Sequence, residues 1–210
     1  MKHLFSENDK KLVEAAVKEA ESLTSGEIVP VVVDTSADYS FVAHRLGIAG
    51  LVLFTAVIWL LPHSQHLFWE FSAVFAAQAL GWVLGWSLGQ LPPVIRAMAG
   101  AERMSAEVHE TALASFLLNN LHHTEGRTGI LVFISCLEHR VEIVADEGIH
   151  RVAGQDFWAK ESAQIAAGIR DGKPGAVMAQ TIKEIGAKLA EHFPIQAGDR
   201  NELPNHVRDR

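Results

Sequence analysis

Glu27 opens an apolar run that continues from Ile28, and Asp146 and Glu147 close another that ends at Ala145. Arg127 and Thr128 stand just before a third run, residues 130–135, and Ser25 lies two residues ahead of Glu27. If residues 28–33 and 130–135 pair in parallel and residues 140–145 run back against them, all six residues converge at one edge of the sheet. Hard oxygen ligands such as Glu27, Asp146 and Glu147 suit calcium or magnesium. The Arg127 guanidinium is able to grip a phosphate or carboxylate through two hydrogen bonds, with the Ser25 and Thr128 hydroxyls beside it. Such an edge would bind a divalent ion together with a phosphate or carboxylate. The plainer reading of the same residues is capping and surface ion pairing around short turns.

Other reactive side chains give weaker signals. His122, His123 and Glu125 are donors for a transition metal, but adjacent residues on a helix point about 100° apart and rarely chelate together. A helix C-terminus favours cationic histidine through its dipole instead. Glu138-His139-Arg140 reads as a solvated, charged turn. Gly85-Trp86-Ser87-Leu88-Gly89 matches G-x-S-x-G, which forms a nucleophile elbow only between a strand and a helix; here it sits inside one long apolar run. Cys136, the single cysteine, rules out an internal disulfide and reads as a small buried hydrophobe. H-E-x-x-H, a Walker loop and G-x-G-x-x-G are absent from the sequence. The residues therefore favour a non-catalytic binding module.

The elements that must position these residues are legible from periodicity. Residues 8–23 predict an amphipathic helix with Leu12, Ala16, Ala20 and Leu23 on one face, Ser6 or Asn8 as N-cap, and Gly26 as the C-cap glycine. Residues 27–34 predict a strand in which Pro30 implies an edge position or a bulge. Residues 101–122 predict a long helix, and residues 130–135 a central strand, apolar on both faces. Residues 140–145 predict its hairpin partner. Two helices follow, 155–170 and 174–192, the second with Met178, Ile182, Ile185, Leu189 and Phe193 in one stripe and Pro174 at its first turn. The polar end, 196–210, predicts a flexible tail. The result is a small α/β sandwich.

That sandwich is interrupted. Hydrophobic residues make up 49% of the 210 residues and mean hydropathy is +0.13, with the excess concentrated in two runs, 46–61 and 71–88. A span needs roughly 20 apolar residues, which the first run approaches when Phe41, Val42 and Ala43 are added. Pro62-His63-Ser64-Gln65-His66 joins the runs, and Trp59, Phe68 and Trp69 cluster there as an interfacial belt would. A soluble core hairpin should show an amphipathic face, and neither run has one. Arg45 precedes the first run and Arg96 and Arg103 follow the second, while the joining loop has no Lys or Arg; the positive-inside rule then places both termini and the α/β domain in the cytoplasm. The N-terminus lacks the apolar core of a secretory signal. Ala77, Gly81, Gly85 and Gly89 recur every four residues and give the second helix a face of close backbone approach, to the first helix or to a second copy in a homo-oligomer. The expected organisation is residues 1–45 and 92–195 as two parts of one α/β domain, 46–91 as a transmembrane hairpin, and 196–210 as tail. A net charge of −7 with no basic stripe excludes a nucleic-acid partner.

The combination resembles a known family. F-S-x-x-D in the first helix, T-S-G-E-I opening a strand, T-E-G-R-T-G-I-L-V-F-I-S, E-H-R-V-E-I-V-A-D-x-G-I, Trp158 and a closing H-F-P together look like the TPM-domain family, in its membrane-anchored bacterial branch with a two-span insertion. The resemblance implies a Rossmann-like α/β fold at the bacterial inner membrane. It also implies calcium or another divalent ion in some members, weak acid-phosphatase activity in a plant member, and accessory roles for membrane-protein partners in others. This sequence has Asp146-Glu147-Gly148-Ile149-His150 where better-known members carry G-x-G-L-E.

Overall fold

The computed structural model describes residues 5–60, 71–124, 126–195 and 206–209. The protein is mixed α/β, mostly helical, and divides into two compact units: Met1–Ser36 with Ser105–Arg210, and Ala37–Met104.

The first unit is built on a sheet of order β3-β2-β1-β4, with β1 at Glu27–Val33, β2 at Gly129–Ser135, β3 at Arg140–Ala145 and the two-residue β4 at Arg208–Asp209. β1 and β2 run parallel, from Glu27 opposite Gly129 to Val33 opposite Ser135. β3 returns antiparallel to β2. A parallel pair needs a crossover connection, and here that connection contains the whole second unit. Every residue of β1 and β2 is buried. On one face, Ile28 and Val32 with Ile130, Val132 and Ile134 pack against α1 (Glu7–Glu21), α7 (Gln155–Arg170) and α8 (Pro174–Ala190). On the other, Val29, Val31, Leu131 and Phe133 pack against Val108, Ala112 and Phe116 of α5 (Ala101–Leu118) and against Leu121. This is a three-layer sandwich in which burial of aliphatic side chains, about 25 cal/mol per Å², holds both faces.

Several details depart from expectation. α1 buries Val13, Ala16, Val17 and Ala20, whereas Leu12 and Leu23 are about half exposed. The expected set and the buried set each lie on one face of a 3.6-residue helix, and the two faces are turned partly away from each other, sharing Ala16 and Ala20. Ser6 is the N-cap, in a reciprocal capping box with Asp9. Gly26 is not a cap: a Cβ there would lie 2.8 Å from Leu189 Cδ1, so its role is close approach. Pro30 sits in a strand with neighbours on both sides, yet its missing N–H does no harm. Glu27 N–H donates to the Thr128 carbonyl, so alternate residues turn the other way, toward β4, which reaches only Val31 and Val32. α5 stops at Leu118, and His122 and His123 lie in a separate 3-10 turn, Leu121–His123. The end of the chain is not wholly loose: Val207 is buried and Arg208 pairs with Val31 and donates to Asn119 Oδ1.

The second unit contains α2 (Ser40–Leu60), α3 (Phe71–Leu88) and α4 (Pro92–Ala99). It is wider than the 46–91 expected from the apolar runs, because α2 starts before the charge-free stretch and α4 follows it. Among the described residues α2 alone is long and apolar enough to cross a membrane; α3 from Ser72 meets that measure only together with α4, and the chain bends by 86° between them. Pro92 and Pro93 open α4 and prevent α3 from continuing. α2 and α3 pack antiparallel. A Cβ on Gly81 would meet the Gly50 carbonyl, one on Gly85 the Leu46 carbonyl, and one on Gly89 the Ala43 backbone. The glycine face is thus used within the chain, and Ala77 is half-buried on the same helix. Gln78, the polar residue of α3, donates to Thr55 Oγ1 of α2 at 3.2 Å.

Candidate functional site

At the amino ends of β1 and β2 the expected residues do come together. Thr128 Oγ1 donates to the Ser25 carbonyl at 2.9 Å, and the Ser25 N–H donates to the Phe193 carbonyl at 3.0 Å. The Asp146 N–H donates to the Gly129 carbonyl, and a Cβ on Gly148 would lie 3.0 Å from the Arg127 carbonyl oxygen. Glu27 is buried and Thr128 is 2% exposed, while Arg127 and Glu147 face solvent. The convergence is tight and partly taken up by the fold, although Asp146 Oδ2 is buried with no hydrogen-bond partner among the described residues. Thr128 and Ser25 bind each other, and Asp146 Oδ1 caps α6 (Glu147–Ala153) by accepting from the Glu147 N–H at 2.7 Å. Among the described residues no three His, Cys, Asp or Glu side chains gather as a metal ion requires, so Glu27, Asp146 and Glu147 do not form the expected calcium or magnesium cage. Calcium and magnesium are therefore expected to leave the melting temperature unchanged, whereas an ion at 100 times its dissociation constant would add about 2.7 kcal/mol. Glu125 lies outside the described residues, and the His122 and His123 rings are tilted by 46° with centroids 4.0 Å apart.

The opposite, carboxyl ends of β1 and β2 hold a buried polar network that the sequence hides. Glu138, expected to be solvated, is 5% exposed. Its Oε2 accepts from Ser135 Oγ at 2.5 Å, and its Oε1 accepts from the Ser36 N–H at 2.9 Å and from Thr35 Oγ1 at 3.2 Å. Ser36 Oγ donates to Ser135 Oγ, and Thr111 Oγ1 donates to the Ser36 carbonyl. One carboxylate thus ties the loop after β1 to the β2–β3 turn. Cys136 sits beside it; burial, then Asp34 and Glu138, push its thiol up to about 11, so the thiolate that reacts is scarce at neutral pH.

A third feature lies along β3. A groove of about 740 Å³ follows this strand, with His109 and Leu113 of α5 on one side and Trp158, Ala159 and Ser162 of α7 on the other. That volume is within the roughly 300–1,000 Å³ of ligand sites. His109 Nδ1 lies 2.8 Å from Glu142 Oε1, and Trp158 is 7% exposed with no hydrogen-bond partner for its indole N–H among the described residues. Only long-range pairing builds this groove, and no local motif announces it.

The fold is similar to the NMR structure of the BA42 protein from the psychrophilic bacterium Bizionia argentinensis, with a TM-score of 0.62 and 18% identity across all of this chain and 98% of that one. At that identity the likeness carries the fold alone. No family model matches the sequence, and no curated protein matches it either.

One further titratable group is buried away from these features. Glu161 of α7 is fully buried, with Lys160 Nζ 3.4 Å from Oε1 and no partner for Oε2 among the described residues. Burial, and then the neighbouring Glu184 carboxylate, raise its pKa above the ordinary 4.5. The folded state therefore holds this proton more tightly than the unfolded chain does. The stabilisation is complete below pH 4.5 and is lost as pH climbs through the raised folded value. Glu161→Gln is expected to melt several degrees higher than wild type at pH 7 and to show a flatter dependence of melting temperature on pH between 4 and 8. An unchanged pH profile would show that folding does not raise the Glu161 pKa.

Proposed function

We propose that this protein is a bilayer-anchored, non-catalytic α/β binding module of TPM-domain type, crossing the bacterial inner membrane twice and serving a membrane-protein partner from the cytoplasmic side. The observation that carries the reading is the uncovered apolar surface of α2. Only 22% of its most apolar stretch is buried, and Ile48, Val52, Leu53 and Val57 are each about half exposed or more. A core helix of a soluble protein buries such residues, and an apolar surface this continuous calls for lipid. α3 adds Phe75, Leu80, Val83 and Leu84 to the same kind of surface. Arg45 and Arg103 lie over one ring, Phe41, at 5.0 and 4.5 Å, so basic side chains from the start of α2 and from α5, which follows α3 and α4, meet at one end, the end that the positive-inside rule keeps in the cytoplasm.

Fractionation and labelling test the reading together. The protein is expected to remain in the membrane pellet after alkaline carbonate extraction. Ser64→Cys is expected to react with an impermeant maleimide in intact spheroplasts, and Glu19→Cys only after lysis. Cys136, with its raised pKa, gives little background. Release by carbonate would remove the anchor from the proposal. Hydrolysis of a generic phosphomonoester by the purified protein, lost in Asp146→Asn, would replace the binding module with the phosphatase.

A further inference from the structure

β3 is an edge strand. Antiparallel pairing alternates which residues turn their backbone groups toward the neighbouring strand. The Asp146 N–H donates to the Gly129 carbonyl at 3.0 Å, and with Leu131 opposite Val144 and Phe133 opposite Glu142, Val144 and Glu142 also face β2. Val141, Ile143 and Ala145 therefore direct their N–H and C=O groups away from the sheet. Among the described residues these groups have no hydrogen-bond partner, and all three residues are only half-exposed, at the floor of the groove.

Unpaired backbone groups beneath apolar walls specify what would satisfy them. Donors and acceptors recur at every second residue, about 7 Å apart, which is the repeat of an extended chain. The Trp158 indole N–H, buried and unpartnered among the described residues, adds a donor on one wall. Two carboxylates, Glu142 and Glu147, line the groove, and no Lys or Arg does. We propose that the groove takes an extended peptide segment of a partner protein, added as a further strand to β3 and apolar at alternate positions. Strand addition draws affinity from main-chain hydrogen bonds and specificity from alternate side chains. Side chains of α5 and α7 line the groove on either side of β3, which favours a segment over the sheet edge of a second copy. The inference rests on the binding-module reading of the α/β unit and is independent of how that unit is anchored.

The test uses the full chain in lipid nanodiscs and a random heptapeptide display library. Peptides are kept if they bind wild type and not Ala159→Trp, a groove-filling variant accepted once its circular dichroism matches wild type. The tightest peptide is then synthesised in three forms: plain, methylated on its odd backbone nitrogens, and methylated on its even ones. With the plain peptide at about 100 times its dissociation constant, amide exchange at Val141, Ile143 and Ala145 is expected to slow about 100-fold, while Glu142 and Val144, already bonded to β2, change little. One methylated form should bind and the other should not, because only one set of nitrogens faces β3. Equal binding by both would mean docking through side chains and would overturn the inference. So would a library that yields no groove-dependent peptide. Concentration-dependent protection of the three amides without peptide would assign the edge to a second copy instead. Carbonate extraction and labelling are read separately, so a closed edge leaves the anchor standing.

Discussion

Gly85→Leu is expected to prise α2 from α3. A Cβ at position 85 falls on the Leu46 carbonyl, and behind it lies the Gly47 backbone, neither of which yields as a flexible side chain would. Overpacking of a close contact costs about 1–3 kcal/mol and occasionally more; backbone against backbone belongs at the upper end. The helices are held by van der Waals contact and the Gln78–Thr55 hydrogen bond, and contact of this kind, not hydrophobic burial, drives helix association in lipid. Separation is readable without added labels. Trp82 stacks on Trp86 at 6.0 Å, and a Cβ on Gly47 would lie 2.9 Å from Trp82 Nε1, so its fluorescence reports the interface. In a dodecyl sulfate titration of mixed micelles, Gly85→Leu should lose the native signal at clearly lower detergent fraction than wild type, and Gly85→Ala should fall between. An unchanged transition accompanied by a smaller oligomer would move the glycine face to an interface between copies.

Glu138→Ala is expected to be the most damaging single change in the α/β unit outside its apolar core. The carboxylate accepts from Ser135, Ser36 and Thr35 in a buried setting. A hydrogen bond to a charged group contributes about 1.5–3 kcal/mol, and stranding its buried partner adds desolvation. A loss of about 4 kcal/mol follows from three such bonds even at the low end. At about 2–4 °C per kcal/mol for a chain of this size, the melting temperature should fall by about 10 °C. Circular dichroism of the detergent-solubilised protein checks this. A fall of a degree or less would mean that Glu138 is solvated, as its charged neighbours His139 and Arg140 suggest when read locally. Glu138→Gln, which keeps the shape and one acceptor, should fall between the two.

These two residues mark where sequence reading succeeds and where it stops. The glycine spacing at 81, 85 and 89 is visible because helix periodicity is local, and so is the prediction that the face meets another backbone. Which backbone it meets is a long-range fact, settled by Gly50, Leu46 and Ala43 some thirty to forty-six residues away. Glu138 gives no signal at all. Its donors include Ser36, about a hundred residues upstream, and a Glu-His-Arg triplet in a turn is ordinarily solvated. The face of α1 was legible in part: Ala16 and Ala20 are buried as expected, whereas Val13 and Val17 take the places expected of Leu12 and Leu23.

By itself the sequence determined the alternation of helices and strands, the two apolar runs that divide the α/β unit, and the gathering of Ser25, Glu27, Arg127, Thr128, Asp146 and Glu147, because each follows from periodicity and from one assumption about strand direction. Only the tertiary structure decided that Thr128 binds the Ser25 carbonyl and Asp146 caps α6, that Glu138 is a buried tie, and that β3 has no strand on its outer side among the described residues. Hydrogen-bond satisfaction is the reason. A side chain's type states what it is able to bind, but whether its partners are already supplied depends on groups that only folding brings within 3 Å.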